Sequence, residues 1–180
     1  LGYMIHCKGI DPRRILTVTY TVAATKDMAA RFTAKFGPEL AEQLEFRTIN
    51  GICAKVLQYY GYRTGKTPHQ LLNDEKRIAG ILAEIYQRVE RVYPTDGDLK
   101  NIRTLITYIK NMMLNEDEIE ALDEEAECKI SVIYREYCSK LKELQMIDYD
   151  DQMVYAYVML KKIPWLLAHF QELYPYICVD

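Results

Sequence analysis

No apolar run in this sequence approaches the roughly 18–20 residues that a membrane-spanning helix needs, so a membrane partner is not expected. A Cys-x-x-Cys pair is also missing. The five cysteines, Cys7, Cys53, Cys128, Cys138 and Cys178, are an odd number spread along the chain. That pattern excludes a zinc ribbon and a disulfide scaffold and fits reduced thiols in a cytoplasmic protein. The opening stretch, Leu1 to Ile10, has neither the basic start nor the long apolar segment of a secretory signal. It does not begin with Met, and the expectation is a piece cut from a longer protein. Internal repeats and low-complexity linkers are absent as well. The three histidines, His6, His69 and His169, fall in different expected elements without the spacing of metal ligands.

What is present is a chain of 180 residues, 49% hydrophobic and 27% charged, long enough to bury a core. Its net charge of −3 hides a gradient. Residues 1–66 carry ten Lys/Arg against five Asp/Glu, residues 67–146 eleven against sixteen, and residues 147–180 two against five. The first third is therefore basic and the middle acidic, and such asymmetry says more about partners than the mean does.

Local pattern gives these blocks a structure. Ile15 to Tyr20 reads ILTVTY, a β-branched and apolar run expected to form a buried strand. Ala23 to Lys35 is expected to be a helix, ended by Gly37-Pro38. Glu45 to Thr48 is expected as a second strand, and Ile49 to Tyr60 as an amphipathic helix closed by Gly61. Strand–helix–strand–helix order indicates an α/β unit with a parallel sheet. From residue 73 to residue 145 the period is helical. Asn73 is expected to cap a helix from Asp74 to about Val92, and Asp98 to start another that reaches Met113. Glu116 to Glu127 holds eight acids in twelve residues, read as a solvated loop and helix face and not as a metal site. A helix from Lys129 to Leu144 turns Ile130, Ile133, Tyr137, Leu141 and Leu144 inward, two shorter helices follow, and YICVD closes the chain as a strand ending on an acid.

Gly65-Lys66-Thr67 has the look of a phosphate-loop tail, but no glycine stands at the required earlier position, no strand precedes it and Pro68 follows. It reads as a turn.

Four segments in order carry a family resemblance. ILTVTYTVAATKDM (Ile15 to Met28), FRTINGIC (Phe46 to Cys53), IDYDDQM (Ile147 to Met153) and YICVD (Tyr176 to Asp180) resemble motif Ia, motif Ib, the Asp-Phe-Asp-Asp-Leu segment and the start of motif II in the UvrD/Rep/PcrA-like family of superfamily 1 DNA helicases. The resemblance implies an α/β fold: a partial RecA-like parallel sheet of the P-loop NTPase type with a large all-helical insertion. Its domain plan is a first part of the motor domain over 1–66, an inserted helical subdomain over 67–146, and a return to the motor domain over 147–180. It implies a fragment of an ATP-dependent helicase that translocates on single-stranded DNA and unwinds duplex DNA in replication or repair. A subunit of a DNA end-processing helicase–nuclease and a degenerate, non-enzymatic interaction domain are the alternatives.

By this resemblance Tyr20 and Thr21 would meet single-stranded DNA, the ring stacking on a base and the hydroxyl reaching a phosphate. Thr48 and Asn50 would contact DNA from the start of a helix, with Arg47 adding a charge-assisted bond. Asp180 would help hold the Mg²⁺ that accompanies ATP in the full-length parent. No cofactor is expected on the fragment, which would be inactive alone because it lacks the phosphate loop and the Glu that follows Asp180 in the motif. Single-stranded DNA or a single/double-strand junction, and the remaining motor domain of the same protein, would be its partners. Val22-Ala23 stands where the family has Asn-Lys, Asn50 where it has His, and Gly51 where it has Ser. Asp148 is expected to cap the next helix, with Asp150 and Asp151 beside it at a structural hinge.

Overall fold

Parallel pairing places Ile15–Thr19, strand β1, between two neighbours in a computed structural model that describes residues 1–180. β2 (Glu45–Thr48) lies on one side and β5 (Tyr176–Val179) on the other, giving the order β2-β1-β5. The register runs from Leu16 opposite Glu45 to Thr19 opposite Thr48, and from Ile15 opposite Tyr176 to Val18 opposite Val179. β1 is buried along its whole length, as a central parallel strand must be, which explains its unbroken β-branched and apolar composition.

A short helix α1 (Gly2–His6) and a single 3-10 turn (Pro12–Arg14) lead into β1. α2 (Val22–Phe36) follows it, and Gly37, at φ +89°, ends α2 before Pro38 opens the four-residue α3 (Pro38–Ala41). Phe32 and Leu44 close over Ile15, with Phe36 and Phe46 packed against them. α4 (Ile49–Thr64) runs one turn further than expected. Gly61 is a buried helix residue, and the stop is Gly65, whose φ of +69° supplies the left-handed turn that ends a helix. α10 (Pro164–Leu173), numbered here in chain order, leads into β5.

Leu1–Lys66 with Tyr155–Asp180 forms one compact unit, and Thr67–Val154 forms a second. The return to the first unit falls at Val154/Tyr155, within helix α9 (Tyr149–Lys162), where the expectation was 146/147. The first turn of α9 belongs to the second unit because its aspartates are bonded there, as described below.

The second unit is helical: α5 (Glu75–Glu90), α6 (Asp96–Met112), α7 (Glu116–Ala126) and α8 (Ile130–Glu143). Ile78, Leu82 and Ile85 of α5, Ile102, Ile106 and Ile109 of α6, and Ile130, Ile133, Tyr137 and Leu141 of α8 share one core at three- and four-residue spacing. Two helix starts differ from expectation. Asp74, not Asn73, caps α5, its carboxylate accepting from the Lys76 and Arg77 backbone N–H groups at 2.9 and 3.3 Å. Thr95 caps α6 three residues before Asp98, which instead completes a capping box by accepting from the Thr95 N–H at 2.8 Å. The acidic run is mostly helix, with Asn115 as its cap and Arg135 reaching Glu116 and Glu120. Two further strands of two residues each, β3 (Gln70–Leu71) and β4 (Met146–Ile147), pair in parallel.

Candidate nucleic-acid and nucleotide interface

Parallel strands end on the same side of their sheet, and crevices outside those carboxyl ends are where open α/β sheets bind ligands. Most of the side chains singled out from the sequence gather there. Tyr20 and Thr21 follow β1, Thr48 ends β2, and Asp180 follows β5. Thr19 stands opposite Thr48, and the Asp180 N–H donates to the Val18 carbonyl at 3.1 Å.

Tyr20 is 83% exposed, directly after five buried residues. Thr21 pins the turn behind it. Its Oγ1 accepts from the Ala24 N–H at 3.1 Å, capping α2, while its carbonyl accepts from the hydroxyls of Thr19 and Thr25, each at 3.0 Å. The Thr21 oxygen is thus committed to the cap, and its hydroxyl proton remains as the group that can donate outward. Fixing this turn keeps the Tyr20 ring on a rigid base.

Thr48 does for α4 what Thr21 does for α2, its Oγ1 accepting from the Gly51 N–H at 3.0 Å. A β-carbon on Gly51 would stand 3.1 Å from that oxygen, so the glycine found in place of the family's Ser leaves the cap uncrowded. Asn50 is half-buried in the first turn of α4. Arg47 is exposed, and its Nε donates to Glu45 at 2.5 Å. Its charge is thus partly answered within the strand, and its terminal nitrogens keep their donors.

Sequence reasoning missed the group that engages Arg47. Lys55 Nζ donates to both Glu45 oxygens at 2.9 Å and to the Tyr174 hydroxyl, which in turn donates to Glu45. Burial raises the Glu45 pKa, but bonds from Lys55, Tyr174 and Arg47 outweigh it and leave the carboxyl below its ordinary value. Burial likewise pulls Lys55 down, and Glu45 and Tyr174 more than restore it. The cluster ties β2 to α4 and to the residue that ends α10. Tyr174 lies 129 positions from Glu45, so no local pattern could have paired them.

Asp180 is exposed and lines a hollow of ≈ 430 Å³ together with Leu1, Arg31 and Lys35. No group of three His, Cys, Asp or Glu side chains comes together to hold a metal. Mg²⁺ is commonly held by one or two carboxylates with water and phosphate oxygens, so a single acid is chemically able to take part in such a site. Gly65-Lys66-Thr67 is the turn that follows α4, with the Lys66 N–H returning to the Gly61 carbonyl at 3.1 Å.

The three aspartates after β4 work inside the second unit. Asp148 caps α9, accepting from the Asp151 N–H at 2.8 Å. Lys110, 4% exposed, sits 2.7 Å from Asp148 and 2.8 Å from Asp151, and the Tyr137 hydroxyl donates to Asp148 at 3.2 Å. Asp150 accepts from Thr107 and Asn111 at 2.8 and 3.0 Å. Burial opposes the Lys110 charge, but the two carboxylates overcome it and raise its pKa. Burial also raises the Asp151 pKa, against the pull of Lys110.

A parallel sheet with an exposed aromatic, two capping hydroxyls and an acid at its carboxyl edge, interrupted by a helical unit, defines a RecA-like α/β domain with a helical insertion. Residues 1–180 match the UvrD/REP helicase N-terminal domain family from end to end, and the chain belongs to that family. It is similar to the ATP-dependent DNA helicase PcrA of Leuconostoc citreum, 23% identical over 100% of this chain and 24% of that protein. A probable DNA helicase II homolog of Mycoplasma capricolum is 28% identical over 100% of the chain and 25% of its own length. The ATP-dependent DNA helicase PcrA of Bacillus subtilis is 24% identical over 100% of the chain and 24% of its own length. The chain thus spans about a quarter of these relatives. No helix is long and apolar enough to cross a membrane, and all five cysteines are free.

Proposed function

We propose that this chain forms the DNA-gripping face, and one edge of the nucleotide site, of an ATP-dependent helicase that moves along single-stranded DNA and unwinds duplex DNA in replication or repair. The observation that supports this most is the gathering of Tyr20, Thr21, Thr48 and Asp180 at the carboxyl edge of one sheet. Tyr20 stacks on a base, the Thr21 hydroxyl proton and the backbone N–H groups opening α4 meet phosphate oxygens, and Asn50 lies beside them. Arg47 contributes only its unpaired nitrogens.

Asp180 would help hold Mg²⁺, which when bound with ATP would neutralise charge on the phosphates. Leu1–Lys66 with Tyr155–Asp180 belongs to the motor, and Thr67–Val154 is its inserted helical subdomain. Partners are single-stranded DNA or a single/double-strand junction and the remainder of the motor, in the cytoplasm. The 180-residue stretch contains no complete phosphate-binding loop and is proposed to be without ATPase activity alone.

The test is DNA affinity of the full-length protein at several salt concentrations. Tyr20→Ala should weaken single-strand binding about 5- to 150-fold, the equivalent of one base stack, and affinity should fall as salt rises. Asp180→Asn should abolish Mg²⁺-dependent ATP hydrolysis and leave DNA binding in place. An unchanged affinity for Tyr20→Ala with a flat salt response rejects the DNA grip. Hydrolysis that survives Asp180→Asn rejects the metal assignment.

A further inference from the structure

Two long stretches of the chain contain no acidic residue, 46–73 and 152–171. They supply all of α4 and most of α10, and those two helices interlock through rings and cations. Tyr59 lies flat on His169, ring centroids 3.9 Å apart and planes 7° from parallel. Tyr60 is parallel to Trp165 within 11° at 6.1 Å. Arg63 stands over both Tyr59 and Trp165, at 5.8 and 5.5 Å from their centroids, and donates to the Tyr59 hydroxyl at 2.9 Å. Lys66, just beyond the helix, is 5.9 Å from the Tyr60 centroid.

Two features set this face apart from ordinary helix packing. On this face two cations without a carboxylate, Arg63 and Lys66, converge on three rings of two helices, whereas Lys8, Lys35 and Lys161 each face a single ring. Its aromatics are also partly open to solvent, Trp165 being 41% exposed and Tyr62, one turn along from Tyr59, 84% exposed. A helix C-terminus favours Arg63 and Lys66 for its dipole alone, but that gives no reason for a platform of exposed rings beneath them. Positive charge without nearby acids suits a polyanion, and flat exposed rings suit unpaired bases, whose faces are hidden in a duplex.

We propose that the α4–α10 face is a second binding site for single-stranded nucleic acid. Trp165 and Tyr62 offer stacking surfaces, and Arg63 and Lys66 take phosphates. Tyr59 to Lys66 lies eleven to eighteen residues along the chain from Thr48, roughly 15–25 Å down the α4 axis, so a base stacked on Tyr20 does not occupy this face. The proposal does not depend on the Tyr20 assignment.

Trp165 is the only tryptophan, so its emission reports this face alone. The 180-residue chain is titrated with fluorescently labelled oligothymidylate, following tryptophan emission and label anisotropy together. Saturable quenching is expected, with a midpoint that rises with salt. Lys66→Glu, an exposed change outside the helix, should raise the midpoint about tenfold with an unaltered far-ultraviolet circular dichroism spectrum. Lys8→Glu, a like charge change in the exposed turn after α1, should leave the quenching midpoint within about twofold. Anisotropy that rises without quenching overturns the proposal, and so does quenching indifferent to Lys66→Glu. An equal rise in midpoint for Lys8→Glu also overturns it, because overall charge and not this face then sets the binding. Duplex DNA or polyglutamate quenching as strongly as the single strand overturns the choice of ligand.

Discussion

The Thr17 hydroxyl is buried in the middle of β1 and has no hydrogen-bond partner. Leaving such a group unanswered costs about 1–3 kcal/mol. Thr17→Val, which keeps the shape, should therefore raise stability by about 1 kcal/mol in urea denaturation. Lys110 is the opposite case, a buried charge fully answered by two carboxylates. Lys110→Met should cost about 3–5 kcal/mol, because it strands Asp148 and Asp151 without a counter-charge. Glu45 connects the same logic to pH. Its folded pKa is lowered by the bonds that outweigh its burial, so its stabilisation is present above the ordinary Glu value of about 4.3 and is lost as pH falls through the folded value. Urea midpoints measured from about pH 6 to about pH 3 should fall more for the natural chain than for Glu45→Gln.

Element by element, legibility followed local chemistry. β1, α2 and β2 could be read because β-branched runs, Gly37-Pro38 and capping threonines are short-range signals. The starts of α5 and α6 were misplaced, because Asp74 and Thr95 supply the caps in place of Asn73 and Asp98, while their ends fell within two residues of those expected. Arg91, Met113 and Glu127 close α5, α6 and α7 in the left-handed turn where glycine is usual. A side chain in that conformation costs about 1–2 kcal/mol. Met113 is half exposed and little packing depends on it, so Met113→Gly should stabilise the chain by about 1 kcal/mol, read as a higher urea midpoint. β3 and β4 are two residues each and carry no readable period. The candidate site was more legible than these helix starts. Once three strands are parallel, Tyr20, Thr48 and Asp180 must share an edge. The arrival of Tyr174 from far along the chain was invisible, since it leaves no spacing to find, whereas Glu45 and Arg47, two apart on one strand, share a face and could have been paired.

For the whole molecule, the division into two compact units has a thermodynamic signature. Trp165 lies in the sheet-bearing unit and Lys110 in the helical one. Lys110→Met should lower the denaturation midpoint followed by circular dichroism more than the midpoint followed by tryptophan emission, a split that a single cooperative transition does not allow. Coincident shifts in the two signals refute this separation.

The four-residue ladder of β3 and β4 sets Gln70 against Met146 and Leu71 against Ile147. The strand that leads into the helices and the strand that leads out of them lie side by side. The gap between those two points constrains whatever is threaded there, and a longer closed loop costs only slightly more chain entropy. The position is therefore a graft port, provided that Asp148 and Asp151, which would lose Lys110, are replaced by uncharged residues at the same time. Residues 72–145 could then be exchanged for another compact module with neighbouring termini, a fluorescent reporter for instance, while the sheet that bears Tyr20 and Asp180 keeps its own sequence.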